Sequence, residues 1–285
     1  MAEQVNTALE STGTSMLGLR DRNENETVSQ GIQCHLKNPS ISYKNQIISY
    51  WGCPYEEYDV VTKDDYVLII YRIPHGRGWP RRTALKAVVY LQHVLIASAG
   101  NWICNLPNTS LAFLLADNGY GVWMRNTQRN TWSRKHFKFS AKSPEFWDFS
   151  LDEMDKYDLP AIINFFVEKT RQERLYCVGH SQGSSIAYVA FSTNPEVAKR
   201  IMILFALAPV ITVKYTQSPM KKLTLSRKVV KSHLDVYLAQ SPTGASVQHM
   251  QPWAQAVNSG LFQAFDWGKP DRNLMHFCWG PETCF

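Results

Sequence analysis

The stretch from residue 174 to residue 193 constrains this chain more than any other. Residues 174–178, Arg-Leu-Tyr-Cys-Val, are a short apolar run of strand type. Gly179-His180-Ser181-Gln182-Gly183 follows at once, and residues 184–193 read as a helix closed by Asn194-Pro195. A strand that becomes a helix within five residues brings two backbones close together. Gly179 and Gly183, without Cβ atoms, permit that approach. The serine then sits at a strained corner with its hydroxyl exposed, next to the unpaired N–H groups and positive dipole end of the helix start. Gly-x-Ser-x-Gly arises by chance in about one chain in ten of this length. The strand before it and the helix after it are the context the chemistry requires, and they make Ser181 a candidate nucleophile.

The rest of the chain extends this pattern. Residues 57–62 and 67–71 are β-rich runs joined through Lys63-Asp64-Asp65 and read as a hairpin. Residues 87–92 form a continuous apolar run ending at His93, as a buried parallel strand does. A helix is expected over 111–118, stopped by Gly119, and a short strand over 121–124. Leu159, Ile162, Ile163 and Phe166 recur at helical spacing and predict a helix over 155–173. Asp155 and Asp158 near its start and Lys169 and Arg171 near its end suit the helix dipole. Residues 201–207 are one more apolar strand. Strand and helix alternate, so the expected class is α/β, with a mostly parallel sheet and helices on both faces. With the serine turn, the pattern is that of an α/β-hydrolase fold. In such a site a tetrahedral oxyanion needs two donors. The N–H of Gln182 is one, and the loop after the 87–92 strand, His93-Val94-Leu95, is placed to give the other.

Bulk properties exclude several other classes. The chain has 285 residues, 45% of them hydrophobic, and a formal charge of +6. The one basic cluster, Lys221, Lys222, Arg227, Lys228 and Lys231, lies in no nucleic-acid-binding motif and reads as a solvated face. The six cysteines, Cys34, Cys53, Cys104, Cys177, Cys278 and Cys284, form no CxxC pair, which argues against a zinc or redox centre. Cys177, inside an apolar strand, reads as a buried small hydrophobe. No run of 18 apolar residues predicts a transmembrane helix. Residues 1–38 are polar, read as a disordered leader, and contain no apolar signal-peptide core, so a cytoplasmic location is expected. Asn25 and Asn108 begin sequons that matter only if the chain enters the secretory route.

Several longer segments resemble the acid lipase family, which comprises gastric, lysosomal acid and related epidermal lipases. They are Tyr50-Trp51-Gly52, Leu106-Pro107-Asn108, Lys156-Tyr157-Asp158-Leu159-Pro160, Gly179 to Gly183, Phe191-Ser192-Thr193-Asn194-Pro195, Ala206-Leu207-Ala208-Pro209 and Asp266-Trp267-Gly268, in family order across about residues 38–276. The resemblance implies cofactor-free hydrolysis of carboxylic esters, triacylglycerols or cholesteryl esters among them, in contact with a lipid interface. It also implies that Ser181 attacks the ester, with Gln182 and Leu95 as oxyanion donors. On this basis residues 39–218 are the core, 219–276 a remnant of the cap region and 277–285 a divergent tail.

The chain departs from the family pattern at four places. Val94 stands where the family has glycine in His-Gly-Leu. Arg125 and Arg129 replace both glycines of Gly-Asn-Ser-Arg-Gly-Asn. The cap is largely missing after Lys214-Tyr215, and the last core strands are expected to be missing as well. The family's triad Asp and His have no counterpart before Phe285. After Ser181 the acids are Glu196, Asp235, Asp266, Asp271 and Glu282, and the histidines are His233, His249 and His276. None follows a recognisable core strand. Two readings therefore stand: a lipase-family ester hydrolase, and a catalytically dead lipase-like protein.

Overall fold

The computed structural model describes residues 43–78, 85–95, 97–126, 135–143, 145–215 and 247–276. The elements are α1 (Tyr43–Tyr50), β1 (Glu56–Val61), β2 (Tyr66–Ile73), β3 (Val88–Gln92), α2 (Leu111–Asp117), β4 (Gly121–Arg125) and β5 (Lys135–His136). There follow α3 (Leu151–Glu153), α4 (Leu159–Thr170), β6 (Leu175–His180), α5 (Gln182–Thr193), α6 (Pro195–Ala198), β7 (Ile201–Leu207), α7 (Val247–Ser259) and α8 (Pro270–His276). The expected leader, the basic cluster at 221–231, Arg129, Asn25 and the tail after residue 276 lie outside the described residues. Among the described residues, no helix is long and apolar enough to cross a membrane.

The chain divides into two compact units, one of residues 1–58, 70–91 and 99–125, the other of residues 59–69, 92–98 and 126–285. In the first, β4 runs antiparallel to β2 (Ile70 opposite Arg125, Ile73 opposite Val122) and parallel to β3 (Val88 opposite Gly121, Leu91 opposite Met124). β3 and β4 are buried at every position, as expected of apolar parallel strands covered on both faces. Arg125 is fully buried at the end of β4. Helix α2 packs on β4 and ends where Gly119 takes φ +89, as its sequence predicts.

In the second unit, β6 and β7 pair in parallel from Leu175 opposite Ile201 to His180 opposite Leu207. The turn at 62–66 closes with Thr62 N–H on the Tyr66 carbonyl (2.9 Å), and Asp65 adopts φ +69 there. Cys177 is buried and free, as expected. Leu159, Ile162, Ile163 and Phe166 are all buried, as their spacing predicts.

The bounds of that helix need correction. Helical structure begins at Leu151, four residues before the expected start, and stops at Thr170 rather than residue 173. Ser150 and Glu153 form a capping box that satisfies donors at the start. Arg171, at φ +56, ends the helix. Asp155 and Asp158 are therefore not at an exposed first turn but buried inside it. Between α3 and α4, Met154–Asp158 is a π-helical stretch. Pro160 has no N–H for the Lys156 carbonyl, and its ring crowds that turn. A wider π turn carries the helix past it.

Candidate active site

Strand β6 runs two residues further than its apolar core suggests, through Gly179 and His180, and α5 starts at Gln182 rather than residue 184. The whole corner is therefore one residue, Ser181. Its φ is +53 and its ψ −113, a conformation that costs a non-glycine residue of order 1–3 kcal/mol. The surroundings hold it there. The Ser181 N–H donates to the Leu207 carbonyl at the end of β7 (2.8 Å), and its carbonyl accepts from the Ser184 N–H (2.9 Å). The Ser184 hydroxyl donates to the Gly179 carbonyl (2.7 Å), and the Ser185 hydroxyl donates to the Val210 carbonyl.

Both glycines are required by space rather than by backbone angle. A Cβ on Gly179 would lie 2.7 Å from the Gly183 carbonyl oxygen, and one on Gly183 would lie 2.6 Å from the Gln92 carbonyl oxygen. The second distance brings the loop after β3 to the corner. Gln92 is the last residue of β3, and His93-Val94-Leu95 follow it. His93 is buried, with Nδ1 2.7 Å from the Val94 carbonyl. A carbonyl only accepts, so Nδ1 carries the proton. Val94 is not among the non-glycine residues with positive φ, so valine meets no left-handed backbone here. Leu95 is half-buried in a turn. Gln182 is 2% exposed and is the first residue of α5.

Profile comparison matches residues 44–106 to a partial alpha/beta-hydrolase lipase region and residues 87–222 to the alpha/beta hydrolase fold. The chain is 62% identical to lipase member K of Homo sapiens, with 82% of this chain and 71% of that protein covered. The chain belongs to the acid lipase family. Gastric triacylglycerol lipase of Rattus norvegicus is 49% identical over 82% of this chain and 72% of its own length. For lysosomal acid lipase/cholesteryl ester hydrolase of Macaca fascicularis the figures are 45%, 82% and 71%. The alignment with lipase member K spans 283 positions, whereas 82% of 285 residues is about 234, so about 49 positions within the matched span have no counterpart in this acid lipase family member. The shortening expected after Tyr215 falls outside the described residues.

Among the described residues, no histidine lies within hydrogen-bonding distance of the Ser181 hydroxyl. His180 is half-exposed, and burial pushes its imidazole down from the usual value. Glu196 pairs with Lys199 in water (2.6 Å). Asp266 accepts from Asn273 and the Gly268 N–H, which hold its carboxyl below the usual value. Asp271 is exposed in the first turn of α8. His233, Asp235, Glu282 and the His249 side chain lie outside the described residues. His276 does have a carboxylate partner, and the sequence reading missed it. Its Nδ1 lies 2.7 Å from Oε1 of Glu153, a residue that precedes the nucleophile in the chain. Asn108 is exposed in the turn between Leu106 and Ser110.

Proposed function

We propose that the chain is a serine hydrolase of carboxylic lipid esters, with Ser181 as nucleophile and the N–H groups of Gln182 and Leu95 as oxyanion donors. The single observation that carries this reading is the strained backbone of Ser181. A non-glycine residue is held at φ +53 by hydrogen bonds from both sides, in a chain of the acid lipase family. Strain of this kind persists where geometry serves the chemistry. In the reaction the serine oxygen bonds to the ester carbonyl carbon, the ester C–O bond breaks, and the alcohol leaves with a proton. Water then cleaves the acyl-enzyme. The substrate class follows from relatives named for triacylglycerols and cholesteryl esters.

A second reading is a catalytically silent lipase-like protein. The observation favouring it is that no histidine among the described residues contacts the Ser181 hydroxyl. A fluorophosphonate probe and a short-chain nitrophenyl ester, applied to the purified chain, separate the two. Turnover abolished by Ser181→Ala establishes the hydrolase. Labelling of Ser181 without turnover establishes the silent form. Absence of labelling in a folded chain removes Ser181 from both.

A further inference from the structure

We propose that the segment from Phe265 to His276 is an acid-closed latch, docked onto the start of α3 in mild acid and released as the pH rises. This inference rests on contacts at Ser150–Asp155 and not on the chemistry of Ser181. Three bonds fasten the segment to residues 152–156, besides the pairing of Arg272 with Asp148. The Phe265 N–H donates to Asp152 Oδ2 (3.0 Å), His276 pairs with Glu153 (2.7 Å), and Lys156 Nζ donates to the His276 carbonyl (3.0 Å). The Trp267 ring stacks on His276 with centroids 3.9 Å apart.

The fastening is built around one hydroxyl and two carboxylates. Ser150 Oγ lies 2.7 Å from Asp152 Oδ2 and 2.7 Å from Glu153 Oε2. One hydroxyl has one proton, so it can donate to only one of them. If both carboxylates are charged, one is left facing an oxygen lone pair in a buried site, beside a like charge. If Asp152 carries a proton, it donates to Ser150, Ser150 donates to Glu153, and every group is satisfied. Glu153 and His276 form a full ion pair only when His276 is protonated. The first condition, a protonated Asp152, is met in mild acid.

The electrostatics agree in sign. Asp152 is pushed up to about 6, first by burial and then by the charge of Glu153, against hydrogen bonds from Ser150 and Phe265. Burial also acts to raise Glu153, but hydrogen bonds from His276 and Ser150 outweigh it and leave that carboxyl below its usual value. Asp155 is raised well above its usual value, by burial and then by Asp152 and Glu153. The remaining charges around the segment are Lys156, Asp266, and Arg272, which pairs with Asp148 (3.2 Å). A carboxyl raised in the docked state favours docking in acid, and that preference is lost as the pH rises through about 6. The lowered Glu153 sets the other limit, since its preference is lost as the pH falls through its docked value. The Met154–Asp158 stretch packs on α5, the helix that begins next to Ser181.

Hydrogen exchange of the full chain, read on peptides covering 262–276 and corrected for the intrinsic pH dependence, tests the proposal. Protection should be higher at pH 5.5 than at pH 8 by on the order of tenfold. Asp152→Asn, an uncharged isostere, should raise protection at pH 8 toward the acid level and weaken the pH dependence. His276→Gln should lower protection at pH 5.5. A wild-type profile that does not change between the two pH values overturns the proposal, even if a variant fails to fold. So does an Asp152→Asn profile identical to that of the wild type.

Discussion

Strands β6 and β7 are neighbours, parallel, and nearly equal in apolarity, yet they live in different surroundings. Every residue of β6 from Leu175 to Gly179 is buried, and only His180 is partly open. In β7, Ile-Met-Ile-Leu-Phe-Ala-Leu, no residue is buried. Met202 is 49% exposed and its neighbour Ile203 38%. Met202 is the extra residue where the register of β7 shifts against β6, so the open stretch lies at an irregular start of the strand. Among the described residues, β7 pairs with β6 alone. The apolar run predicts a strand in both cases. Burial depends on what lies beside and above the strand, which a single run of sequence does not contain. The difference also separates two jobs. β6 is clamped because it delivers Ser181, while β7 contributes the Leu207 carbonyl that anchors that serine.

The largest effect should come where β6 meets α5. Gly183→Val places its new side chain against the Gln92 carbonyl at 2.6 Å, and a backbone atom cannot rotate away. Overpacking of this kind costs about 3 kcal/mol or more when the obstacle is rigid. The variant should lose fluorophosphonate labelling of Ser181 altogether and melt well below the wild type. Labelling at the wild-type rate would show that the approach of Gln92 to the corner is not needed to build it.

A smaller effect is expected within the core of β6. Leu175→Ala deletes a buried side chain at the start of the strand, opposite the half-open Ile201, and should cost about 2–3 kcal/mol by denaturant titration. Ile203→Ala, in β7, should cost under about 1 kcal/mol, because much of that side chain already meets water. Equal losses at the two sites would erase the contrast between the strands.

The same contrast explains what was legible in the sequence. The Ser181 corner was legible because its causes are local: a strand, two glycines and a helix within twenty residues. The loop after Gln92 was legible as a neighbour of the corner, but the close approach of the Gln92 carbonyl to Gly183 was not, since it depends on how two distant segments pack. The early start of the helix at Leu151 was legible in Ser150-x-x-Glu153 and was missed because the apolar repeat begins only at Leu159. The bond between Glu153 and His276 joins residues 123 positions apart, and a search for acids downstream of the nucleophile could not reach it.

The smallest effect in stability should come from Met202→Lys. The side chain is half exposed, so its replacement should change unfolding free energy by within about 0.5 kcal/mol. Its effect on association should be larger than its effect on folding. A strand with one neighbour among the described residues offers its other edge to a second chain, and a lysine on such a strand opposes pairing by charge and hydration. Light scattering of the purified chain should therefore show less high-mass material for Met202→Lys than for the wild type, at equal concentration and with an unchanged melting midpoint. A similar lysine in β6, at Val178, would bury a charge and prevent folding instead. If Met202→Lys left association unchanged, the open stretch of β7 would not be the adhesive surface, and the contrast with β6 would be one of exposure without consequence.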